Sequence, residues 1–188
     1  PERRLRYQQE HRAIVAALKA RDAERSRAAI LAHLQHARRN LLAEGIHPSR
    51  ILLTGSPMRE VLEQNREQID ESDVLQRQKL TSSGYFLVSL HREENVDNPD
   101  RLRSAIESLQ ALQKEYGLPV LVSTHPRTRQ RLEGLDAKLK DGIAFHPPFG
   151  YHDYVKLQLD AKLVLSDSGT ISEESSILGF PAVTLRDS

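Results

Sequence analysis

The fold of this chain is decided by the stretch Leu163-Val164-Leu165-Ser166-Asp167-Ser168-Gly169-Thr170-Ile171-Ser172-Glu173-Glu174. The apolar run at its start is typical of a buried strand, and the polar turn that follows leads into a predicted helix. Ser168 or Thr170 can cap this helix, and Thr170 stands three residues before Glu173, which is the spacing of a capping box. Gly169 lets a ligand approach the backbone closely. The free N–H groups and the dipole at the helix start then favour an anion such as phosphate.

Length and composition set the broad class of the protein. The chain has 188 residues, 28% charged and 38% hydrophobic, which is typical of one globular domain with or without an appendage. The net charge of +1 gives no support for a nucleic-acid or membrane partner. The absence of cysteine excludes disulfides, and we expect a cytoplasmic location. Because the chain starts without Met and stops directly after a strand-like run, we expect an excerpt of a longer protein.

Residues 1–43 differ from the rest of the chain. They are rich in Ala, Arg and His and contain no Gly or Pro after the first residue. Apolar residues recur at helical spacing in two stretches, and Asp22 is a good N-cap for the second. We predict an αα-hairpin with helices of roughly Glu2–Lys19 and Ala23–Ala43, each amphipathic, with Gly45 as the C′ residue.

A first resemblance is carried by Glu10-His11-Arg12-Ala13-Ile14-Val15-Ala16-Ala17-Leu18, Arg21-Asp22, Ala28-Ala29 and Ala32-His33-Leu34. These segments resemble the last two helices of the FCD ligand-binding domain of GntR-family transcription regulators. The resemblance implies a metal site that uses His11 and His33. Packed or solvated histidines are the alternative, since closed metal sites use three or four protein ligands. A metal- or effector-sensing fragment of such a regulator is the second functional hypothesis.

From residue 51 onward, short apolar strands alternate with helices. The predicted strands are Ile51–Leu53, Tyr85–Leu90, Pro119–Ser123, Gly142–Phe145, Lys162–Leu165 and Ala182–Leu185. The predicted helices are one starting at Pro57, Pro99–Tyr116 capped by Asn98, Pro126–Leu135, Tyr151–Leu159, and Ile171–Leu178 ended by Gly179. This alternation indicates an α/β class with a Rossmann-like, doubly wound parallel sheet. The predicted domains are a helical hairpin over 1–43 and a Rossmann-like domain over 44–188.

Polar residues follow several of the predicted strands. They are His91-Arg92-Glu93-Glu94-Asn95, Thr124-His125-Pro126-Arg127, Ser166-Asp167-Ser168-Gly169 and Arg186-Asp187. Each segment alone is typical of a solvated loop, and many strand–turn–helix units bind no ligand. Parallel strands, however, bring these segments to one edge of the sheet, where such folds bind their ligands. Together they predict a polyanionic ligand.

A second resemblance covers about 150 residues. It rests on Thr54-Gly55-Ser56-Pro57-Met58, His91-Arg92-Glu93-Glu94-Asn95-Val96-Asp97, Ser123-Thr124-His125-Pro126, Ser166-Asp167-Ser168-Gly169 with Glu173-Glu174, and Leu185-Arg186-Asp187. In order and spacing these motifs resemble the non-hydrolysing UDP-N-acetylglucosamine 2-epimerase family, most closely its capsule and O-antigen branch. The resemblance implies one half of a GT-B fold, in which two Rossmann-like domains hold a nucleotide sugar between them.

The resemblance also implies roles for individual residues. His91 would be catalytic and contact the pyrophosphate, Ser168 and the Gly169 backbone would bind phosphate, and Glu174 would take the ribose hydroxyls. Tyr154 falls where an aromatic ring stacks on uracil, with core packing as the alternative. Further UDP-binding residues would be Arg92, Glu94, Asn95, His125, Thr170 and Arg186. At position 170 the family usually has a second glycine, from which this sequence departs.

The family reaction removes the C2 proton with loss of UDP and re-adds UDP with the proton on the other face, without a cofactor. It needs carboxylates as acid and base, which the resemblance assigns to an N-terminal domain. Since residues 1–43 stand in that place, we expect a chimera joined near Ala37–Asn40 that binds UDP but does not turn over. The expected partner is a UDP-sugar, and a homodimer is left open. A scaffold without any ligand is the third hypothesis.

Overall fold

The computed structural model describes residues 2–52, 54–133 and 141–185. The chain divides into two compact units, Pro1–Ser56 and Pro57–Ser188. In the described part of the chain, no helix combines the length and apolar character needed to cross a bilayer.

The first unit is built on a helical hairpin with the predicted bounds, α1 (Glu2–Lys19) and α2 (Ala23–Ala43). Asp22 caps α2, because its Oδ1 accepts from the Arg25 N–H at 2.9 Å. Gly45 follows the helix end with φ +84°, the left-handed conformation expected of a C′ glycine. A short 3₁₀ turn, Pro48–Arg50, completes the unit.

Polar side chains link the two helices of the hairpin. His33 Nδ1 donates to Glu10 Oε2 at 2.8 Å, and His36 Nδ1 lies 2.7 Å from Glu10 Oε1. Asn40 Nδ2 donates to the Tyr7 hydroxyl at 2.9 Å, which adds a further hydrogen bond between the two helices. Several large apolar side chains of both helices are exposed, among them Val15, Leu18, Ile30, Leu31 and Leu41. The hairpin therefore depends on these polar contacts as well as on its apolar packing.

The second unit is a five-stranded, all-parallel sheet with the order β3-β2-β1-β4-β5. The strands are β1 (Phe86–Leu90), β2 (Val120–Thr124), β3 (Ile143–His146), β4 (Leu163–Ser166) and β5 (Ala182–Thr184). The helices are α3 (Met58–Gln64), α4 (Arg66–Asp70), α5 (Val74–Arg77), α6 (Glu93–Val96), α7 (Pro99–Tyr116), α8 (Pro126–Glu133), α9 (Tyr151–Asp160) and α10 (Ile171–Leu178). The predicted α/β class with a parallel sheet is confirmed.

Alternating side chains of β1 enter two hydrophobic clusters, because successive residues of a strand point to opposite faces. Phe86 and Val88 pack in a cluster with α7 and α8. Leu87 packs in a second cluster with residues of α5, α9 and α10. The central strand is thus buried on both faces, which is the usual state of a strand in a parallel sheet.

Two predictions around residue 51 are wrong in detail. Ile51 and Leu52 form no strand, and Leu52 is 84% exposed; within the described residues no strand pairs with them, and Leu53 lies outside those residues. Pro57 caps α3 instead of starting it. The remaining strands agree with the prediction to within one residue at each end.

The helix predictions were accurate except for short segments. Asn98 caps α7 as expected, with its Oδ1 accepting from two backbone N–H groups. Helix α8 is described only to Glu133, so the predicted end at Leu135 lies outside the described residues. Helices α4, α5 and α6 were not predicted, since four or five residues are too few for an amphipathic pattern.

Glu10→Gln is expected to destabilise the hairpin at neutral pH and to reduce its acid sensitivity. Burial alone would raise the pKa of Glu10, but hydrogen bonds and charges from His33 and His36 outweigh burial and lower that pKa. The stabilisation is therefore present above the ordinary glutamate range and is lost as pH falls through the lowered pKa. Urea denaturation at about pH 7 and about pH 3, followed by NMR signals of α2, measures it.

Glu24→Gln is the control, since Glu24 lies exposed in the first turn of α2, near the positive end of the helix dipole. It should lose less stability than Glu10→Gln at neutral pH. Equal losses for the two variants would contradict the role assigned to Glu10.

Candidate functional site

The register of the sheet brings the polar segments after β1, β2 and β4 to one edge. Ser89 pairs with Ser166 and Leu90 pairs with Thr124. Since the strands are parallel, the residues that follow them lie side by side. We call the edge formed by residues 91–95, His125 and residues 167–170 the rim.

Asp167 is the central residue of the rim, and its side chain is fully buried. Its Oδ2 accepts from His91 N at 3.1 Å, Arg92 N at 3.0 Å and Asn95 Nδ2 at 3.1 Å. Its Oδ1 accepts from His91 N at 3.1 Å and lies 3.0 Å from His91 Nδ1. A buried carboxylate is tolerated only when such donors replace its lost water. Asp167 therefore fixes the segment after β1 onto the segment after β4.

Arg92 and Asn95 extend this network. Arg92 Nε donates to the backbone carbonyl of Asp167 at 2.7 Å. Asn95 Nδ2 donates to the carbonyl of Leu185, just after β5, at 3.1 Å. The polar groups at the ends of β1, β4 and β5 are thus joined. Arg92 and Asn95 were both predicted to bind the ligand, but these hydrogen bonds are made to other groups of the protein.

The start of α10 differs from the predicted capping box. Thr170 Oγ1 donates to Glu174 Oε1 at 2.5 Å, and Thr170 makes no side-chain cap hydrogen bond. The reason is its backbone, which is already helical at φ −90° and ψ −13°, whereas a capping residue is normally extended. Ser168 Oγ instead accepts from the Thr170 N–H at 3.3 Å. The capping box with Glu173 was therefore wrong, although Ser168 and Thr170 both lie at the helix start.

Glu174 is held by two donors, one on each carboxylate oxygen. Besides Thr170, the buried Gln158 donates through Nε2 to Glu174 Oε2 at 2.6 Å. Each carboxylate oxygen has a second acceptor position, so Glu174 can still accept two hydroxyl groups from a ligand. Gln158 was not predicted; its only signal was a polar residue on the apolar face of α9.

Tyr154 is partly buried against the hydrophobic cluster that includes residues of α5 and α10. Burial raises the pKa of Tyr154 to about 12, although a hydrogen bond with Ser89 opposes the shift. This packing favours the core alternative over uracil stacking, which stays a prediction.

The remaining predicted ligand residues are more exposed. His125 is exposed, and its Nδ1 accepts from the Arg127 N–H at 3.4 Å. Glu94 is 68% exposed and lies 3.7 Å from Arg92 Nη1. Gly169 is exposed beside Ser168. Arg186 lies outside the described residues.

Arg127 lies two residues after His125 and stabilises the fold through ion pairs. It pairs with Asp97 and, at 2.5 Å, with Glu93, so it ties α8 to the segment that contains α6. Hydrogen bonds from Arg127 are the main reason that the pKa of Asp97 is lowered.

The two histidines of the predicted metal site face each other in the hairpin, with ring centroids 4.8 Å apart. His33 Nδ1, however, is already bonded to Glu10. Among the residues that the structure describes, no group of three or more His, Cys, Asp or Glu side chains is arranged to hold a metal ion. Metal binding by His11 and His33 stays a prediction without structural support.

A parallel α/β domain with converging polar groups at the carboxyl ends of its strands is the class of fold that binds nucleotides. The family model described as UDP-N-acetylglucosamine 2-epimerase matches residues 24–188. The chain therefore belongs to the UDP-N-acetylglucosamine 2-epimerase family, as the second resemblance implied. A model of the FCD domain matches residues 1–36.

Individual relatives agree with this assignment. The UDP-N-acetylglucosamine 2-epimerase of Methanocaldococcus jannaschii is 35% identical over 165 residues, 84% of this chain and 45% of the relative. Its structure in complex with UDP-GlcNAc and UDP matches with a TM-score of 0.68 over 80% of this chain and 43% of that one. The structure of UDP-N-acetylglucosamine 2-epimerase from Rickettsia bellii is 47% identical, with a TM-score of 0.67 over 81% and 40%.

A third relative has a different sugar in its name. The UDP-2,3-diacetamido-2,3-dideoxy-D-glucuronate 2-epimerase of Pseudomonas aeruginosa is 40% identical over 107 residues, 57% of this chain and 29% of the relative. The chain spans less than half the length of each of these relatives. All three are epimerases, so the regulator hypothesis gains no support from them.

Asn95→Ala is expected to destabilise the second unit by about 1–3 kcal/mol, because it removes a hydrogen bond to the buried carboxylate of Asp167 and the bond to Leu185. Urea denaturation monitored by tyrosine fluorescence measures this change. The neighbouring exposed residue supplies the control, since Glu94→Ala should stay within about 0.5 kcal/mol. Similar values for both variants would contradict the network.

Proposed function

We propose that this chain is the UDP-binding part of a UDP-N-acetylglucosamine 2-epimerase and that it binds the UDP group of a UDP-2-acetamido sugar at the rim. The observation that carries the proposal is that Asp167, which directly precedes Ser168, contacts both the backbone N–H and the ring of His91. UDP and UDP-GlcNAc are the ligands named in the structure of the M. jannaschii relative.

The diphosphate would lie between the His91 ring and the start of α10. His91 is 45% exposed although its partner Asp167 is buried, so the ring reaches a ligand without leaving the network. The N-terminus of α10 adds the positive end of a helix dipole and its unpaired N–H groups, which favour phosphate. Ser168, Gly169 and Thr170 form the turn at that helix start, and Arg92 and His125 flank it as cationic or hydrogen-bonding groups.

The ribose would be bound by Glu174. A carboxylate held by Thr170 and Gln158 has two remaining acceptor positions, which match the two hydroxyl groups of a ribose. Glu173 is adjacent on the helix and therefore points about 100° away. Tyr154 would stabilise the ribose site through its packing against the hydrophobic cluster that includes α10.

In the proposed reaction, the C2 proton is removed with loss of UDP and UDP returns with the proton on the other face. The resemblance assigns the acid and base carboxylates to a part of the family fold that this chain does not span. We therefore propose that the 188-residue chain binds UDP without epimerising a UDP-sugar. We further propose a cytoplasmic role in surface polysaccharide synthesis, with a homodimer as one possible assembly. The hairpin would be a segment of FCD type joined near Ala37–Asn40, which the family match to residues 1–36 supports.

UDP is expected to raise the thermal midpoint of the second unit. At a concentration 100 times its dissociation constant, a ligand adds about 2.7 kcal/mol of stability. Glu174→Gln replaces one acceptor oxygen by a donor and should weaken UDP binding by about 10- to 150-fold, since a lost hydrogen bond to a charged group costs about 1.5–3 kcal/mol. Calorimetric titration of both chains with UDP measures the change.

The matched control is Glu173→Gln, which should bind UDP with unchanged affinity. An unmoved midpoint of the wild-type chain with UDP would contradict the binding proposal, as would equal losses in the two variants. Conversion of UDP-N-acetylglucosamine at C2 by the isolated chain in a coupled assay would contradict the proposed lack of turnover.

A further inference from the structure

We propose that Asp167 is a positioning residue that holds His91 with a proton on Nδ1, so that Nε2 is the ring atom presented at the rim. The inference about the ring stands on the contacts of the protein alone. Its use toward a diphosphate rests on the proposed function.

The proton position follows from the atoms around the carboxylate. Asp167 is fully buried and receives three other donors, His91 N, Arg92 N and Asn95 Nδ2. Toward these donors both oxygens of Asp167 act as acceptors, as a carboxylate does. At 3.0 Å from Asp167 Oδ1, an unprotonated Nδ1 would place its lone pair against a carboxylate oxygen, so the contact is favourable only if Nδ1 carries the proton.

The same contact fixes the direction of the ring. Nδ1 faces a fully buried group while the side chain of His91 is 45% exposed, so the opposite ring atom, Nε2, is the polar atom turned away from Asp167. In the neutral ring Nε2 is an acceptor, and in the doubly protonated ring it is a donor. To donate to a phosphate oxygen, the ring must take up a second proton from solvent at Nε2, and the negative charge of Asp167 balances the resulting cation.

The distribution of donors between the two oxygens makes Asp167→Asn a sharp test. The donors His91 N, Arg92 N and Asn95 Nδ2 all reach Oδ2. Among the described residues, His91 Nδ1 is the group that contacts Oδ1 alone, while His91 N reaches both oxygens. An asparagine with its oxygen at the Oδ2 position keeps the first three bonds and turns its NH₂ group toward Nδ1. The ring must then accept at Nδ1, and the proton moves to Nε2, as happens when an aspartate that orients a histidine is replaced by asparagine.

The experiment is ¹⁵N NMR of the histidine rings in the full chain at a pH where the rings are neutral, with the His91 signals identified by their loss in His91→Gln. We expect Nδ1–H and unprotonated Nε2 in the wild type, and the reverse in Asp167→Asn. Asp70→Asn, which changes an exposed carboxylate paired with Arg66, should leave the His91 signals unchanged.

An Nε2–H ring in the wild type would overturn the proposal, and so would an unchanged Nδ1–H ring in a folded Asp167→Asn chain. If Asp167→Asn does not fold, the wild-type spectrum decides alone. A UDP titration of the same wild-type sample separates the positioning role of Asp167 from the proposed binding of UDP. Absence of any response to UDP contradicts the proposed function, whereas the tautomer in the free chain tests Asp167 by itself.

Discussion

The site depends on one buried negative charge, the carboxylate of Asp167. Removing a carboxylate from water costs several kcal/mol unless donors replace the lost hydration. Here the donors are two consecutive backbone N–H groups and an amide side chain, and the His91 imidazole lies 3.0 Å from Oδ1. The segment after β1 must therefore fold around Asp167, and this requirement gives the rim its shape before any ligand arrives.

The same requirement links the sheet to the proposed chemistry. Strands β1 and β4 are neighbours, although the paired positions, such as Phe86 and Leu163, are 77 residues apart in the chain. The parallel sheet brings His91 to Asp167, whose carboxylate faces the Nδ1 side of the ring. The carboxylate of Glu174 is likewise held in place by hydrogen bonds from Thr170 and the buried Gln158. The groups proposed to bind UDP are thus oriented by other side chains of the protein.

Local patterns predicted most of the fold, whereas the long-range contacts of the site could not be read from the sequence. The bounds of α1, α2, α7 and α10 follow from periodicity and caps that lie within a few residues. Ile51–Leu53 resembled a strand locally, but pairing depends on a distant partner. Thr170 fitted a capping box by spacing, but its backbone conformation decided otherwise. The positioning roles of Asp167 and Gln158 depend on contacts with other elements. The sequence motifs therefore indicated where the site lies, but not how its side chains are held in place.

The most direct test of this account is amide hydrogen exchange at His91 and Arg92 in the free chain. Both N–H groups donate to a fully buried carboxylate, so we predict that they exchange nearly as slowly as the core amides of β1. Exchange at the rate of an unstructured peptide would show that the segment after β1 is not fixed to Asp167. The rim would then not be preformed, and the central claim would be contradicted.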